Sequence, residues 1–140
     1  MPFEWNKDLS TGIPWQDKQH KELFKRLNKL LEAMNVGLGK TEVVRFFTFL
    51  DEYVVIHFHT EEEAMDKANF PETVEQLKDH TRFIEDLAKL KAEFEKGPSS
   101  ALVMQVKRQV VDWLINHIGV EDKKFGEFVI KAEAQRKGRI

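Results

Sequence analysis

The stretch that decides the fold reads Tyr53-Val-Val-Ile-His57-Phe-His-Thr-Glu61-Glu-Glu-Ala-Met65. It continues a helical pattern in which apolar residues recur every three or four positions, at Val43, Phe46, Phe47, Leu50, Tyr53 and Val54. The same spacing next reaches His57 and Glu61, so an imidazole and a carboxylate are predicted to point into the core. Because a buried carboxylate without a partner is costly, the pattern predicts a cation or a metal ion beside both side chains.

The composition indicates one domain with a single core. Of the 140 residues, 41% are hydrophobic and 33% are charged. The net charge of −2 gives no electrostatic reason to expect binding to nucleic acid or to an anionic membrane. No apolar run is long enough to cross a bilayer, and the N-terminus does not resemble a signal peptide. The absence of cysteine excludes disulfides and thiolate metal sites, and we expect a cytoplasmic protein by default.

The hydrophobic pattern predicts an all-α protein and shows no strand signal. We expect a non-helical N-terminal arm, four helices and a short C-terminal helical extension, at residues 1–16, 17–36, 41–67, 72–96, 100–118 and 120–133. Gly37 and Gly39 would end the first helix, and Pro98 lies in the turn before the fourth. The third helix is predicted to bury Leu77, Phe83, Ile84, Leu87, Leu90 and Phe94, whereas residues 131–140 are expected to fray. Four long helices with short connections predict an antiparallel up-down-up-down bundle in a single domain, 1–140.

Each predicted helix carries a possible metal ligand on or beside its apolar face: His20, His57 with Glu61, Gln76 with His80, and His117 with Asp122. A spacing of four, as between His57 and Glu61, keeps two side chains on one face of a helix. The spacing of five from His117 to Asp122 does not, because it turns a regular helix by about 140°. We therefore expect either a long reach by Asp122 or a widened π-helical turn near Gly119.

Four imidazoles and two carboxylates are more than one tetrahedral zinc ion needs. They suit two metal ions bridged by the carboxylates, and mixed nitrogen and oxygen donors with an open position favour iron. A lone histidine on an apolar face is usually a satisfied core residue, but four of the five histidines fall inward here. His59 is predicted to be solvated on the far side of its helix, and Glu62 and Glu63 are interpreted as surface charges.

At these residues the chain resembles the hemerythrins, specifically the bacterial single-domain ones. The matching segments are Asp17-Lys-Gln-His20, His57-Phe-His-Thr-Glu61-Glu62, Leu77-Lys-Asp-His80-Thr-Arg-Phe83 and Trp113-Leu-Ile-Asn-His117-Ile-Gly-Val-Glu-Asp122. The resemblance covers nearly the whole chain, and the motifs taken jointly and in order are highly specific. It implies a bundle that holds two non-haem iron ions bridged by carboxylates and an oxo or hydroxo group.

The resemblance also implies a role for each matched residue. His20 and His57 would hold the iron that leaves one position open for dioxygen. Glu61 and Asp122 would bridge the two irons.

The second iron is where the chain departs from the family pattern. His80 and His117 would hold this iron, but the family has one more histidine, one turn before the position of His80, and here that position is Gln76. A neutral amide oxygen is a weaker donor than imidazole. Gln76 would ligate through its oxygen, hold a water, or swing away, and each alternative predicts weaker metal retention at the second iron.

The resemblance implies reversible dioxygen binding, for carriage, storage, delivery or sensing, with dioxygen as the partner and any protein partner unidentified. One alternative is a di-iron oxidase, peroxidase-like or nitric-oxide-reactive enzyme, made more reactive by the weakened ligand set at Gln76. Another is an interaction module with one metal or none. A dry ligand pocket would be lined by side chains next to the inferred ligands, namely Leu23, Phe24, Phe58, Trp113, Leu114 and Ile118. Trp113 fits equally well as an ordinary core aromatic residue.

Overall fold

Four long helices form a bundle in the structure, a computed structural model that describes residues 4–37, 40–97 and 99–137. After a 3₁₀ turn at Lys7–Leu9, the helices are α1 (Pro14–Asn35), α2 (Lys40–Lys67), α3 (Thr73–Lys96) and α4 (residues 100–137). Helices α1, α2, α3 and α4 pack each against the next in chain order. Within the described ranges there is no strand, and no helix is long and apolar enough to cross a membrane. The prediction of an all-α four-helix bundle is confirmed.

Helix α1 begins three residues earlier than predicted, so the non-helical arm does not extend to residue 16. Pro14 is the first helical residue, where its fixed φ and missing N–H are tolerated. The carboxylate of Asp17 accepts hydrogen bonds from Ser10 Oγ at 2.6 Å and from the backbone N–H of Thr11 at 2.8 Å. These bonds tie the arm to the first turn of α1, in which Gln16 lies.

Helix α4 is one continuous helical run, so the predicted break between residues 118 and 120 is wrong. Gly119 lies inside this run without interrupting it. Two π-helical segments, Lys107–Asp112 and His117–Asp122, shift which residues of α4 face the core. The second segment confirms the widened turn that the spacing of His117 and Asp122 predicted. The first was not predicted, and it allows the adjacent residues Val110 and Val111 both to be buried. Residues 131–137 are helical rather than frayed.

The core has two apolar parts with a polar layer between them. The larger cluster includes Leu23 of α1, Val54 of α2 and Leu114 of α4. The smaller one, at the other end, consists of Ile13, Met65, Phe70 and Phe125. Along each helix the predicted ligands fall between these two parts, so neighbouring apolar side chains close both ends of the polar layer.

One predicted core residue is exposed. Leu77 of α3 has 40% of its surface accessible, although Phe83, Leu87, Leu90 and Phe94 of the same helix are buried. The inward stripe runs through Gln76 and His80, and Leu77 lies roughly 100° away from Gln76 around the helix. The predicted roles of Gly39, Pro98 and residues 138–140 lie outside the described residues.

Candidate metal centre

Glu61 is at the middle of the polar layer. Its Oε2 lies 3.2 Å from Nε2 of His20 and 3.2 Å from Nε2 of His57. Asp122 Oδ2 lies 3.1 Å from the same His20 nitrogen. These four side chains are at most 1% exposed, and their ligand atoms all lie within 4.8 Å of one another. The structure therefore brings together one complete predicted set of donors from α1, α2 and α4.

A second set of donors adjoins the first. His80 Nε2 of α3 lies 3.2 Å from His117 Nε2 of α4, and His117 Nε2 lies 3.5 Å from Asp122 Oδ1. Asp122 thus belongs to both sets, one oxygen facing each. Glu61 is also shared, because its Oε1 lies 3.6 Å from His80 Nε2.

The π-helical segment of α4 explains how Asp122 reaches the site. In this segment hydrogen bonds join residues five apart, so His117 and Asp122 come one above the other on the same face. A regular helix would turn the Asp122 carboxylate away from His117. The widened turn is therefore the local feature that allows one carboxylate to serve both sets of donors.

Two histidines are held by partners on their outer nitrogens. His57 Nδ1 lies 2.7 Å from Gln19 Oε1, and His80 Nδ1 lies 2.8 Å from Glu62 Oε2. Both partners are assigned as acceptors, so each Nδ1 carries the proton and each Nε2 lone pair faces the centre. This is the tautomer in which imidazole binds a metal, and such partners commonly fix it.

Sequence reasoning identified neither Gln19 nor Glu62. The interpretation of Glu62 as surface charge is wrong, since its side chain is only 22% exposed and bonds His80. Glu62 follows Glu61 directly and lies off the apolar stripe of α2, while its partner belongs to another helix. The side chain of His59, in contrast, is 71% exposed and pairs with Glu63, as predicted.

The carboxylates create a strong need for positive charge in this layer. Burial by itself would lower the pKa of His20, but its bonds to Asp122 and Glu61 outweigh burial and raise it to about 9. Burial opposes ionisation of Glu61, yet the neighbouring His57 and His20 hold its pKa well below the ordinary value. Burial and the charge of Glu61 raise the pKa of Asp122. A proton on His20 therefore supplies, in the metal-free protein, charge that a cation would otherwise supply.

The His80 side of the centre behaves differently. Burial lowers the pKa of His80 to about 3, and Glu61 only partly offsets this effect. His80 is therefore neutral at physiological pH, with its Nδ1 proton donated to Glu62. A neutral imidazole with an inward lone pair is the form that a metal ion requires.

Two carboxylate oxygens of the polar layer receive no hydrogen bond from the described residues, which suits them to binding a cation. Glu61 Oε1 and Asp122 Oδ1 are buried and make no hydrogen bond within the described part of the chain. Their nearest imidazole nitrogens, at 3.6 Å and 3.5 Å, are too distant for good hydrogen bonds. Buried oxygens left in this way are costly unless something else binds them, and a metal ion between the two donor sets would do so.

Two buried glutamines extend the polar layer. Gln16 is fully buried on α1 and donates from Nε2 to Glu61 Oε2 at 2.6 Å, a contact that sequence reasoning missed. Gln76 is 1% exposed, and neither its oxygen nor its nitrogen has a hydrogen-bond partner among the described residues. Gln76 does not swing out to solvent, because α3 holds this side chain inside the bundle.

The predicted pocket residues all lie next to the centre or in the larger apolar cluster. Phe58 stacks on His80 with ring centroids 3.8 Å apart, and Trp113 stacks on His117 at 4.4 Å. Trp113 is partly buried, and the other five are at most 3% exposed, namely Leu23, Phe24, Phe58, Leu114 and Ile118. These side chains form an apolar boundary to the polar layer on the side of the larger cluster.

Comparison with known proteins identifies the family to which this chain belongs. The model of the hemerythrin HHE cation-binding domain matches residues 11–129. The chain belongs to the hemerythrin family. It is 31% identical over 119 residues to a bacteriohemerythrin of Methylococcus capsulatus, covering 85% of this chain and 89% of that one. A hemerythrin-like protein of Naegleria gruberi is 28% identical, covering 89% of this chain and 91% of the relative.

A solved structure supports the same assignment at the level of fold. The crystal structure of a wild-type hemerythrin superposes with a TM-score of 0.80 and 29% identity, covering 91% of this chain and 97% of that chain. The resemblance to hemerythrins inferred from the four histidine-containing segments is thereby confirmed.

Proposed function

We propose that this hemerythrin-family chain is a non-haem di-iron protein that binds dioxygen reversibly. The observation that carries the proposal is the pair of buried donor sets that share Asp122. Each set supplies two imidazoles, and Glu61 approaches both. Imidazoles with shared carboxylates are donors suited to two iron ions rather than to one zinc ion.

In this proposal each protein group has a defined task. His20 and His57 would hold one iron, His80 and His117 would hold the other, and the carboxylates of Glu61 and Asp122, which approach both donor sets, would bind both irons. When bound, the ferrous pair supplies the electrons that dioxygen accepts. Gln19 and Glu62 keep their histidines in the ligating tautomer.

The apolar surroundings support reversible binding over turnover. Phe58 and Trp113 cover the faces of His80 and His117, and buried aliphatic side chains adjoin them. Exclusion of water from such a site limits proton leakage to a bound ligand and the loss of that ligand by side reactions. The protein contributes this dry enclosure together with the positions of the donors.

An anaerobic iron load followed by exposure to oxygen tests the proposal. Visible absorption should develop on oxygenation and disappear when oxygen is removed, over repeated cycles. A His57→Ala variant should lose the signal, whereas a His59→Ala variant should keep it, because His59 is exposed on the same helix. Absence of any oxygen-dependent band in the iron-loaded protein would refute reversible binding.

A second candidate, a di-iron oxidase, a peroxidase-like enzyme or an enzyme that reacts with nitric oxide, is favoured by one observation. Gln76 replaces the expected imidazole with a weaker neutral donor beside His80. If this substitution dominates the chemistry, the colour should bleach irreversibly and peroxide should be consumed. Reversible cycling without peroxide consumption would exclude peroxidase-like turnover.

A further inference from the structure

The carboxamide of Gln76 is buried in the bundle without a hydrogen-bond partner for either of its polar atoms among the described residues. The residue is 1% exposed. A buried amide left in this way costs on the order of 1–3 kcal/mol for each unmade bond. Its position one helical turn before His80 places it on the inward face of α3.

The two halves of the metal centre are unequal in donors. The half at His20 and His57 gathers four groups, because Glu61 and Asp122 both approach it closely. The half at His80 and His117 gathers only three groups that all lie within the same limit of one another, and Glu61 approaches it through Oε1, 3.6 Å from His80 Nε2. Gln76 is a buried polar residue on α3, the helix that contributes His80 to this half.

Direct ligation through Oε1 would satisfy only one atom of Gln76. Its Nε2 would remain a buried donor, because no acceptor within the described part of the chain lies at hydrogen-bond distance. A small molecule held between the amide and the metal position can be bound by either atom of the amide, Nε2 or Oε1. By rotating its terminal group, the amide accepts a hydrogen bond from a bound water or donates one to a bound anion.

We propose that Gln76 holds a small exchangeable ligand at the His80–His117 half, a water that a small anion displaces. This half would then provide a second binding position, in addition to the one implied at the His20–His57 half. The inference rests on the proposed di-iron function. It adds that the centre takes two small anions and that Gln76 stabilises the second by hydrogen bonding.

Titration of the iron-loaded, oxidised protein with azide tests the inference. The number of azide ions bound is read from calorimetry and visible absorption, with iron measured in the same samples. The wild-type chain should bind two azides per pair of irons. Gln76→His should bind one, because the added imidazole fills the position.

Two further variants make the test specific. Gln76→Leu cannot ligate, so it should still bind two azides, with the second held roughly two- to tenfold more weakly for want of one hydrogen bond. Gln105→His is the matched control, since it makes the same change at an exposed position of α4 and should leave both azides in place.

The outcomes separate this inference from the proposed function. One azide in the wild type and two in Gln76→Leu would show that the amide itself ligates, which overturns the inference. One azide in both proteins would also overturn it while leaving the di-iron proposal intact. A chain that retains no iron would overturn both.

Discussion

Nδ1 of His80 lies 2.8 Å from Oε2 of Glu62, and this contact joins α3 to α2 beside the metal centre. The carboxylate fixes the imidazole with its Nε2 lone pair pointing inward, toward His117. Gln19 does the same for His57 from α1. Each inter-helix bond therefore orients one candidate metal ligand and also ties two helices together at the level of the polar layer.

Loss of the Glu62 carboxylate should weaken metal binding. For Glu62→Ala we expect iron affinity to fall by about 10- to 100-fold, as is typical when a partner of a ligating histidine is removed. The measurement is competition for iron against a chelator of known affinity. Glu63→Ala is the matched control, because Glu63 is exposed and pairs with the exposed His59. Equal losses in the two variants would mean that Glu62 acts only through general surface charge.

The stability of the metal-free protein should depend on pH through His20 above pH 6.5 and through His80 below it. The pKa of His20 is raised to about 9, so its contribution is complete below the unfolded value of 6.5 and is lost as pH rises toward 9. The pKa of His80 is lowered to about 3, so the unfolded chain takes up the proton first and stability falls as pH drops from 6.5 toward 3. Each of these two effects changes the free energy of unfolding by a few kcal/mol, since one pKa unit corresponds to about 1.4 kcal/mol.

Urea unfolding in the presence of chelator, at several pH values between 4 and 9, measures this dependence. The loss of stability between pH 6.5 and 9 should be absent in His20→Gln, which has no imidazole at position 20, and retained in His59→Gln. A wild-type stability that does not change between pH 6.5 and 9 would show that His20 carries no buried proton.

Removal of metal should lower the unfolding midpoint. Without a cation, the oxygens of Glu61 and Asp122 remain buried and partly unpaired, so binding stabilises the folded state. At a free metal concentration 100 times the dissociation constant, the gain is about 2.7 kcal/mol. Thermal unfolding with and without chelator measures it, and a double variant His57→Ala, His117→Ala should show no difference. Superimposed wild-type curves would place the metal outside the core.

A methyl group at Gly126 should destabilise the protein. An added Cβ there would lie 2.0 Å from the backbone oxygen of Thr11, which cannot yield cheaply because Asp17 anchors that arm. We expect Gly126→Ala to lower the free energy of unfolding by roughly 1–3 kcal/mol or more, as overpacking does. The control Gly97→Ala, where nothing lies within 4 Å, should stay within about 0.5 kcal/mol. Chemical denaturation of both variants gives the comparison.

The sequence predicted the features that depend on periodicity. The stripe that leads to His57 and Glu61 on α2 is regular, and both residues are buried where the pattern placed them. The irregular spacing of His117 and Asp122 predicted either a long reach by Asp122 or a widened turn, and the structure has the widened turn. Patterns of this kind are local, so a single chain carries enough information to recover them.

Features that depend on contact between helices were not predicted. Glu62 lies off the inward stripe of its own helix, and only the approach of α3 gives it a role with His80. A predicted helix start at residue 17 leaves Gln16 in the arm, so the sequence does not reveal its bond to Glu61. The apolar side chain of Leu77 predicts burial, but the stripe through Gln76 and His80 turns it outward.

The iron content of freshly purified protein tests the central claim most directly, because the claim is that donors from all four helices enclose two iron ions. Elemental analysis should give close to two irons per chain in the wild type and a clear loss in His20→Ala, but not in His59→Ala. One iron or none per chain, in protein that is folded and supplied with iron, would contradict the account.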